Sequence, residues 1–165
     1  MLFGDGAGAA VLTPGDNIKS IKLSASSATD KLWQYRLLHP TPYITKEEVD
    51  MPLQMKGQDV FKFAVKAASK DISRTLKETG LNADDVDHYL LHQANIRIIE
   101  TIRETLAQDR SKFPNNIEKY GNTSSASIPI LLDEMNQRHQ LKSGDRIVLS
   151  AFGAGFTTGA CLLYW

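Results

Sequence analysis

The chain has a single cysteine, Cys161, among its 165 residues. An internal disulfide is excluded, and so sparse a thiol content fits a reducing cytoplasm. Nor is there a surplus of charge of either sign: 19 Lys and Arg stand against 19 Asp and Glu. A protein that binds nucleic acid by neutralising phosphates normally carries a basic excess, so no nucleic-acid partner is expected. No apolar run approaches the ~18–20 residues of a membrane span, so no membrane partner is expected either. The opening Met1-Leu2-Phe3-Gly4-Asp5 has neither the basic nor the apolar stretch of a secretory signal. Glycine and proline are not in excess (11 and 6 residues), and no repeat or low-complexity tract is found. With 42% apolar and 23% charged residues, the composition is that of one globular domain large enough to bury a core. The class expected from these absences is a soluble, intracellular α/β domain, and no metal site is expected.

What is present orders itself along the chain. Residues 3–12 interleave Gly4, Gly6 and Gly8 with apolar side chains before Pro14-Gly15, which predicts a strand closely approached by other backbone. A dinucleotide-binding reading of these glycines fails on context, because no strand precedes them and no helix of useful length follows before Pro14. Residues 18–24 alternate and predict a second strand. Residues 25–56, with Pro40, Pro42 and Pro52, hold no sustained period and read as an irregular excursion. Val60, Phe61, Ala64, Val65, Ala68, Ile72 and Leu76 then recur at helical spacing, and Gly80 follows as a stop, which predicts a helix over 58–79. Beyond it come a strand over 87–91, a helix over 95–106 and a helix over 125–139, where Pro129 is tolerable only in the first turn. Strands over 146–151 and 157–164 end the chain. The order ββ-α-β-α-α-β-β predicts a five-stranded mixed sheet with three main helices packed on it.

Topology brings three distant stretches together. If strands 87–91 and 146–151 are parallel neighbours, their carboxyl ends share one edge of the sheet, where open α/β sheets bind ligands. His92 follows the first strand and Gly153-Ala154-Gly155 the second, while the helix after Asn122 starts on the same edge. The imidazole Nε2–H, the Asn122 amide and a main-chain N–H of the glycine turn are donors suited to a developing oxyanion. No carboxylate is placed to complete a Ser-His-Asp relay, so the set reads as an electrophilic cradle. His39, His88 and His139 lack such partners and read as structural. Cys161, between Ala160 and Leu162, reads as an inert strand residue. Lys62, Lys66 and Lys70 share a helix face that by default is only solvated; Arg97 at the same rim turns the reading toward an acidic partner.

Four stretches carry a resemblance: residues 3–11 (Phe-Gly-Asp-Gly-Ala-Gly-Ala-Ala-Val), 92–97 (His-Gln-Ala-Asn-Ile-Arg), 120–127 (Tyr-Gly-Asn-Thr-Ser-Ser-Ala-Ser) and 151–157 (Ala-Phe-Gly-Ala-Gly-Phe-Thr). In that order they resemble β-ketoacyl-acyl-carrier-protein synthase III, a condensing enzyme of thiolase fold. The likeness runs over the whole chain, weakening in 25–56. It implies that residues 1–165 are the C-terminal half of such an enzyme, beginning near its pseudo-twofold boundary and lacking the half with the nucleophilic cysteine. By that resemblance, the full enzyme condenses acyl-CoA with malonyl-acyl-carrier protein in fatty-acid synthesis, and the fragment alone is inactive. His92 and Asn122 match the residues that hold the thioester carbonyl, and Ala154 matches the residue whose N–H helps form the acyl oxyanion hole. Gly57, Phe61, Ala94 and Asn95 match positions lining the pantetheine tunnel, and Phe152 the aromatic residue beside the nucleophile. Lys62 and Arg97 match positions that receive the acidic carrier protein. No cofactor is implied, since CoA and phosphopantetheine thioesters are substrates; the full-length parent is implied to be a cytoplasmic homodimer. Thr158 stands where relatives often carry Trp, a change that bears on the acyl pocket. The helix over 58–79, rich in small residues, is expected to be a central buried helix, leaving an exposed apolar face on this chain. Two alternatives remain: a non-catalytic partner subunit, and another thiolase-fold acyltransferase of the quinolone or polyketide starter type.

Overall fold

A computed structural model describes residues 3–34, 42 and 52–165. The chain runs through β1 (Ile18–Ala25), β2 (Leu32–Trp33), β3 (Gln54–Met55), α1 (Gly57–Thr79), β4 (His88–Leu91), α2 (Ile96–Thr105), α3 (Ile117–Tyr120), α4 (Ser127–Gln137), β5 (Arg146–Gly153) and β6 (Thr157–Tyr164). Four strands form one mixed sheet in the order β1-β6-β5-β4. The β4–β5 pair is parallel, with Tyr89 opposite Val148 and Leu91 opposite Ser150, while β5–β6 and β1–β6 are antiparallel. β2 and β3 make a separate two-stranded ladder, outside which most of the excursion expected over 25–56 lies beyond the described residues.

The helix of strongest period is where it was expected. Val60, Ala64, Ala68, Ile72 and Leu76, each one turn from the next, are buried, the last four in one core with Tyr89, Val148, Ala160 and Leu162. Gly80 ends α1 in the left-handed region (φ 71°), and its N–H reaches the carbonyls of Leu76 and Lys77. α2 packs Ile98, Ile99 and Ile102 into the same core. On the opposite sheet face, Leu131 and Met135 of α4 close over Leu90 and Ile147. Pro129 lies in the first turn of α4, as its missing N–H requires. Among the described residues no helix is long and apolar enough to cross a membrane.

Two expectations are corrected. Residues 3–12 form no strand, so the main sheet has four strands and not five. The close approach that their glycines predict is present, against Tyr120 and the first turn of α4: a Cβ on Gly4 would fall 2.0 Å from the Tyr120 carbonyl oxygen, and one on Gly8 would fall 2.4 Å from Pro129 Cβ. The second correction concerns α1, which is not a central helix. Its outward face carries the exposed Lys62, Lys66, Lys70, Arg74 and Lys77. The apolar surface left open lies elsewhere, on β1, where Ile21 and Leu23 are 55% and 80% exposed. The start of α4 is an apolar run from Ile128 to Leu132, of which Ile128, Ile130 and Leu132 are only half-buried.

Candidate active site

β4 delivers His92 to the carboxyl edge of the sheet. Its Tyr89, Leu90 and Leu91 are buried, and the His92 N–H extends the parallel ladder by donating to the Ser150 carbonyl at 2.8 Å. The next residue locks the turn: Gln93 is fully buried, its side-chain NH₂ donates to the Leu91 carbonyl (2.7 Å), and its carbonyl oxygen accepts from the Asn116 N–H (3.2 Å). The His92 ring sits edge-on to Phe152, with centroids 5.4 Å apart and planes 65° apart. Its Nδ1 lies 2.7 Å from Ser127 Oγ, at the first turn of α4. Burial penalises the imidazolium and holds the His92 pKa below its ordinary value of 6.5. At neutral pH the ring is therefore uncharged, with one N–H to give.

Asn122 is set by the short α3 and the turn after it. Gly121, at φ 66°, adopts a backbone conformation that a side chain would strain. The Asn122 side-chain oxygen accepts the Ser124 N–H at 2.9 Å, which orients the amide and leaves its NH₂ without a hydrogen bond among the described residues. The Asn122 carbonyl accepts from Gly4 N–H at 2.8 Å. Behind this turn, Glu134 of α4 gathers Asn116 (2.8 Å), Tyr120 OH (2.9 Å) and Lys119 (3.0 Å). The Asn116 amide above all, then Lys119 and Tyr120, outweigh burial and hold the Glu134 carboxyl down at about 2. This carboxylate braces α3, and α3 places Asn122.

His92, Asn122, Phe152, Gly153 and Ala154 meet around one cavity of about 690 Å³. The topological expectation for the sheet edge is thus what the structure shows. Gly57, Phe61, Lys62, Ala94, Asn95 and Arg97 line the same cavity, Gly57, Lys62, Asn95 and Arg97 being exposed. The Arg97 guanidinium stands 6.0 Å from the Phe61 ring centroid. Asn95 has a further task, because its side-chain oxygen caps α2 by accepting the Arg97 N–H at 2.9 Å. Leu32, Leu53, Met55, Val60, Ile98 and Ser124 are among the other lining residues, none of them singled out as a site residue from sequence. Leu32 and Met55 arrive through the β2–β3 ladder, whose two-residue strands leave no readable period. A second cavity of about 480 Å³ shares His92, Phe152 and Gly153 and extends to Ser127, Leu23 and Thr158. Thr158 is absent from the first cavity's lining, and its hydroxyl donates at 2.5 Å to the buried Asp71.

Cys161 lies half-buried in β6, where burial pushes its thiol above the ordinary value. It is a poor thiolate and therefore a poor nucleophile. No group of three or more His, Cys, Asp or Glu side chains able to hold a metal occurs among the described residues.

Comparison with known proteins places the chain in a family. Residues 76–165 match the family described as 3-oxoacyl-[acyl-carrier-protein] synthase III C terminal. The chain is 44% identical over 169 residues to the β-ketoacyl-[acyl-carrier-protein] synthase III of Clostridium novyi, a match covering all of this chain and 52% of that protein. It is 42% identical over 171 residues to the Helicobacter pylori (strain Shi470) enzyme of the same name, again over 52% of its length. The chain thus spans about half the length of the curated relatives it matches. Among solved structures, the Thermus thermophilus synthase III superposes with a TM-score of 0.79 at 34% identity, over 90% of this chain and 46% of that one. A priming β-ketosynthase of the R1128 polyketide pathway gives 0.78 at 26% identity, over 92% and 46%. With a thiolase-type fold and a family match across the segments that carry His92, Asn122 and Ala154, the chain belongs to the 3-oxoacyl-[acyl-carrier-protein] synthase III C-terminal family.

Proposed function

We propose that the chain is the C-terminal catalytic half of a 3-oxoacyl-[acyl-carrier-protein] synthase III, an acyltransferase of fatty-acid synthesis. The reaction is a decarboxylative Claisen condensation. An acyl group passes from acyl-CoA to a cysteine thiolate with release of CoA. Malonyl-acyl-carrier protein then loses CO₂: its C–C bond breaks heterolytically, and the electron pair passes into the thioester as an enolate. That carbanion equivalent attacks the acyl thioester, and the cysteine leaves as thiolate.

The observation that carries this reading is the convergence of two uncharged donors on one largely apolar cavity, His92 with its ring N–H and Asn122 with a free amide NH₂. Both would hold the malonyl thioester oxygen as it becomes an enolate oxyanion. A preorganised donor of that kind contributes roughly 3–4 kcal/mol to transition-state stability. The Ala154 N–H serves the acyl thioester oxygen in the same way. Gly57, Phe61, Ala94 and Asn95 line the pantetheine path, and Phe152 stands beside the nucleophile. Lys62 and Arg97, at the same cavity, receive an acidic carrier protein through contacts that weaken with salt. CoA and phosphopantetheine thioesters are substrates, and no cofactor takes part. The nucleophile belongs to the rest of the enzyme, which also forms the homodimer; Cys161 has the wrong place and the wrong pKa for it.

The test is complementation. The chain alone should form no 3-oxoacyl product from acetyl-CoA and malonyl-carrier protein. Mixed or co-expressed with the cysteine-bearing half, it should do so, and His92→Ala or Asn122→Ala should then lower kcat about 10²–10³-fold. Product from the chain alone defeats the claim of inactivity, and a complemented His92→Ala variant of full activity defeats the assigned chemistry. The likeness to a priming β-ketosynthase supports a second reading, a polyketide starter enzyme on the same machinery. Acyl-CoA profiling of the complemented enzyme separates the two. A folded chain that binds CoA yet cannot be complemented would instead be a non-catalytic partner subunit.

A further inference from the structure

We propose that Ser127 is a positioning residue for His92, fixing the imidazole as the tautomer that carries its proton on Nε2. The inference rests on, and deepens, the reading of His92 as a donor to the thioester oxygen.

Three polar groups meet at the start of α4, and their capacities leave one arrangement. Ser127 is 2% exposed, so its hydroxyl has no bulk water to turn to. The Gln93 main-chain N–H can only donate, and it donates to Ser127 Oγ at 3.3 Å. The hydroxyl keeps one proton to place, and the acceptor within reach is His92 Nδ1 at 2.7 Å. An Nδ1 that accepts is bare, so the proton of the neutral ring sits on Nε2. The reverse arrangement, with Nδ1–H donating to Oγ, would put two donors on the serine oxygen and strand the hydroxyl proton in a buried site. A buried polar hydrogen without a partner is costly. The imidazolium would strand it too, so Ser127 and burial act together to keep the ring neutral.

The hydroxyl matters because it is not a carboxylate. An aspartate on Nδ1 would draw a proton there and raise the basicity of the ring, suiting a general base. A hydroxyl that both accepts from the main chain and donates to Nδ1 makes a fixed donor instead. The neighbours make the arrangement rigid: Gln93 is satisfied at both ends of its amide, and the His92 N–H is tied to Ser150.

The ring can be read without substrate. In the chain labelled with ¹⁵N-histidine, long-range ¹H–¹⁵N correlation at neutral pH should show His92 with a protonated Nε2 and an unprotonated Nδ1. Ser127→Ala should shift the ring toward the other tautomer or a mixture, and Ser127→Thr, which keeps the hydroxyl, should restore the original pattern. A proton on Nδ1 in the unmodified chain overturns the proposal, as does a ring spectrum that Ser127→Ala leaves unchanged. Should Ser127→Ala fail to fold, the unmodified spectrum still decides. In the complemented enzyme, Ser127→Ala should lower kcat about tenfold or more with KM nearly unchanged, and Ser127→Thr should recover most of it; an unaltered kcat removes the positioning role. Because the spectrum involves no turnover, a correct tautomer in an enzyme that does not condense defeats the proposed function and not the assignment of the ring.

Discussion

Glu134 carries more of the site's architecture than its place on a helix suggests, because one carboxylate satisfies Asn116, Lys119 and Tyr120 together. Its pKa of about 2 lies below the ordinary 4.5, so the native state binds fewer protons than the unfolded chain across that interval. The stability it confers is complete above pH 4.5 and is lost as pH falls toward 2, a change of at most about 3 kcal/mol that solvent screening of its exposed partners reduces. Urea denaturation between these limits should show that slope, and Glu134→Gln should flatten it while lowering stability at neutral pH. His92 works in the same direction by another route. Its folded pKa is below 6.5, so the unfolded ring protonates first and stability declines as pH falls below that value. Its ring resonances should titrate below pH 6.5; a midpoint above that would show that burial does not govern the group. His92 was legible in the sequence because a residue just past a parallel strand has its place set by topology. Glu134 was not, since its partners come from a four-residue helix and its flanks, which have no period to read.

The elements divide on the same physical ground. α1 is readable because its buried residues recur at every fourth position five times in succession, from Val60 to Leu76. The glycines of 3–12 do mark the close approach of other backbone that they predict, but the segment meets it outside the sheet and not as a strand. A side chain on Gly4 would run into the Tyr120 carbonyl, which sits beside the Asn122 turn. Gly4→Ala should therefore cost roughly 1–3 kcal/mol, as forced overpacking does, and should disturb the Asn122 amide resonances. Gly15→Ala is the control, because a Cβ there meets nothing within 4 Å. Equal thermal midpoints for the two variants would show that the 3–12 segment is not held against α3. The β2–β3 ladder, which brings Leu32 and Met55 to the cavity, escaped sequence reading because two-residue strands are set by their neighbours. Lys31, Asp30, Lys56 and Asp59 pin it in a chain of ion pairs to the start of α1.

The molecule as a whole is covered unevenly. Ser20, Lys22 and Ser24 of β1 turn toward α1, where they meet Glu78 and Asp71. Strand alternation therefore sends Ile21 and Leu23 to the other face. There α4 covers only the Leu90–Ile147 end of the sheet, leaving Ile21 and Leu23 open beside Cys161 and Gly159. Val11 and Leu12 add exposures of 93% and 81%. An apolar surface of this kind, on a chain spanning about half the length of its relatives, is suited to being buried against the rest of an enzyme. Studied alone, the chain should bind a hydrophobic dye and sediment as concentration-dependent oligomers. The double variant Ile21→Lys, Leu23→Lys should suppress both without loss of helix content, since neither side chain contributes to the buried core. It should also abolish complementation by the cysteine-bearing half, because two ammonium groups cannot be desolvated in an apolar contact without a partner for their charge. Dye binding and self-association that persist in the double variant would move the sticky surface off β1.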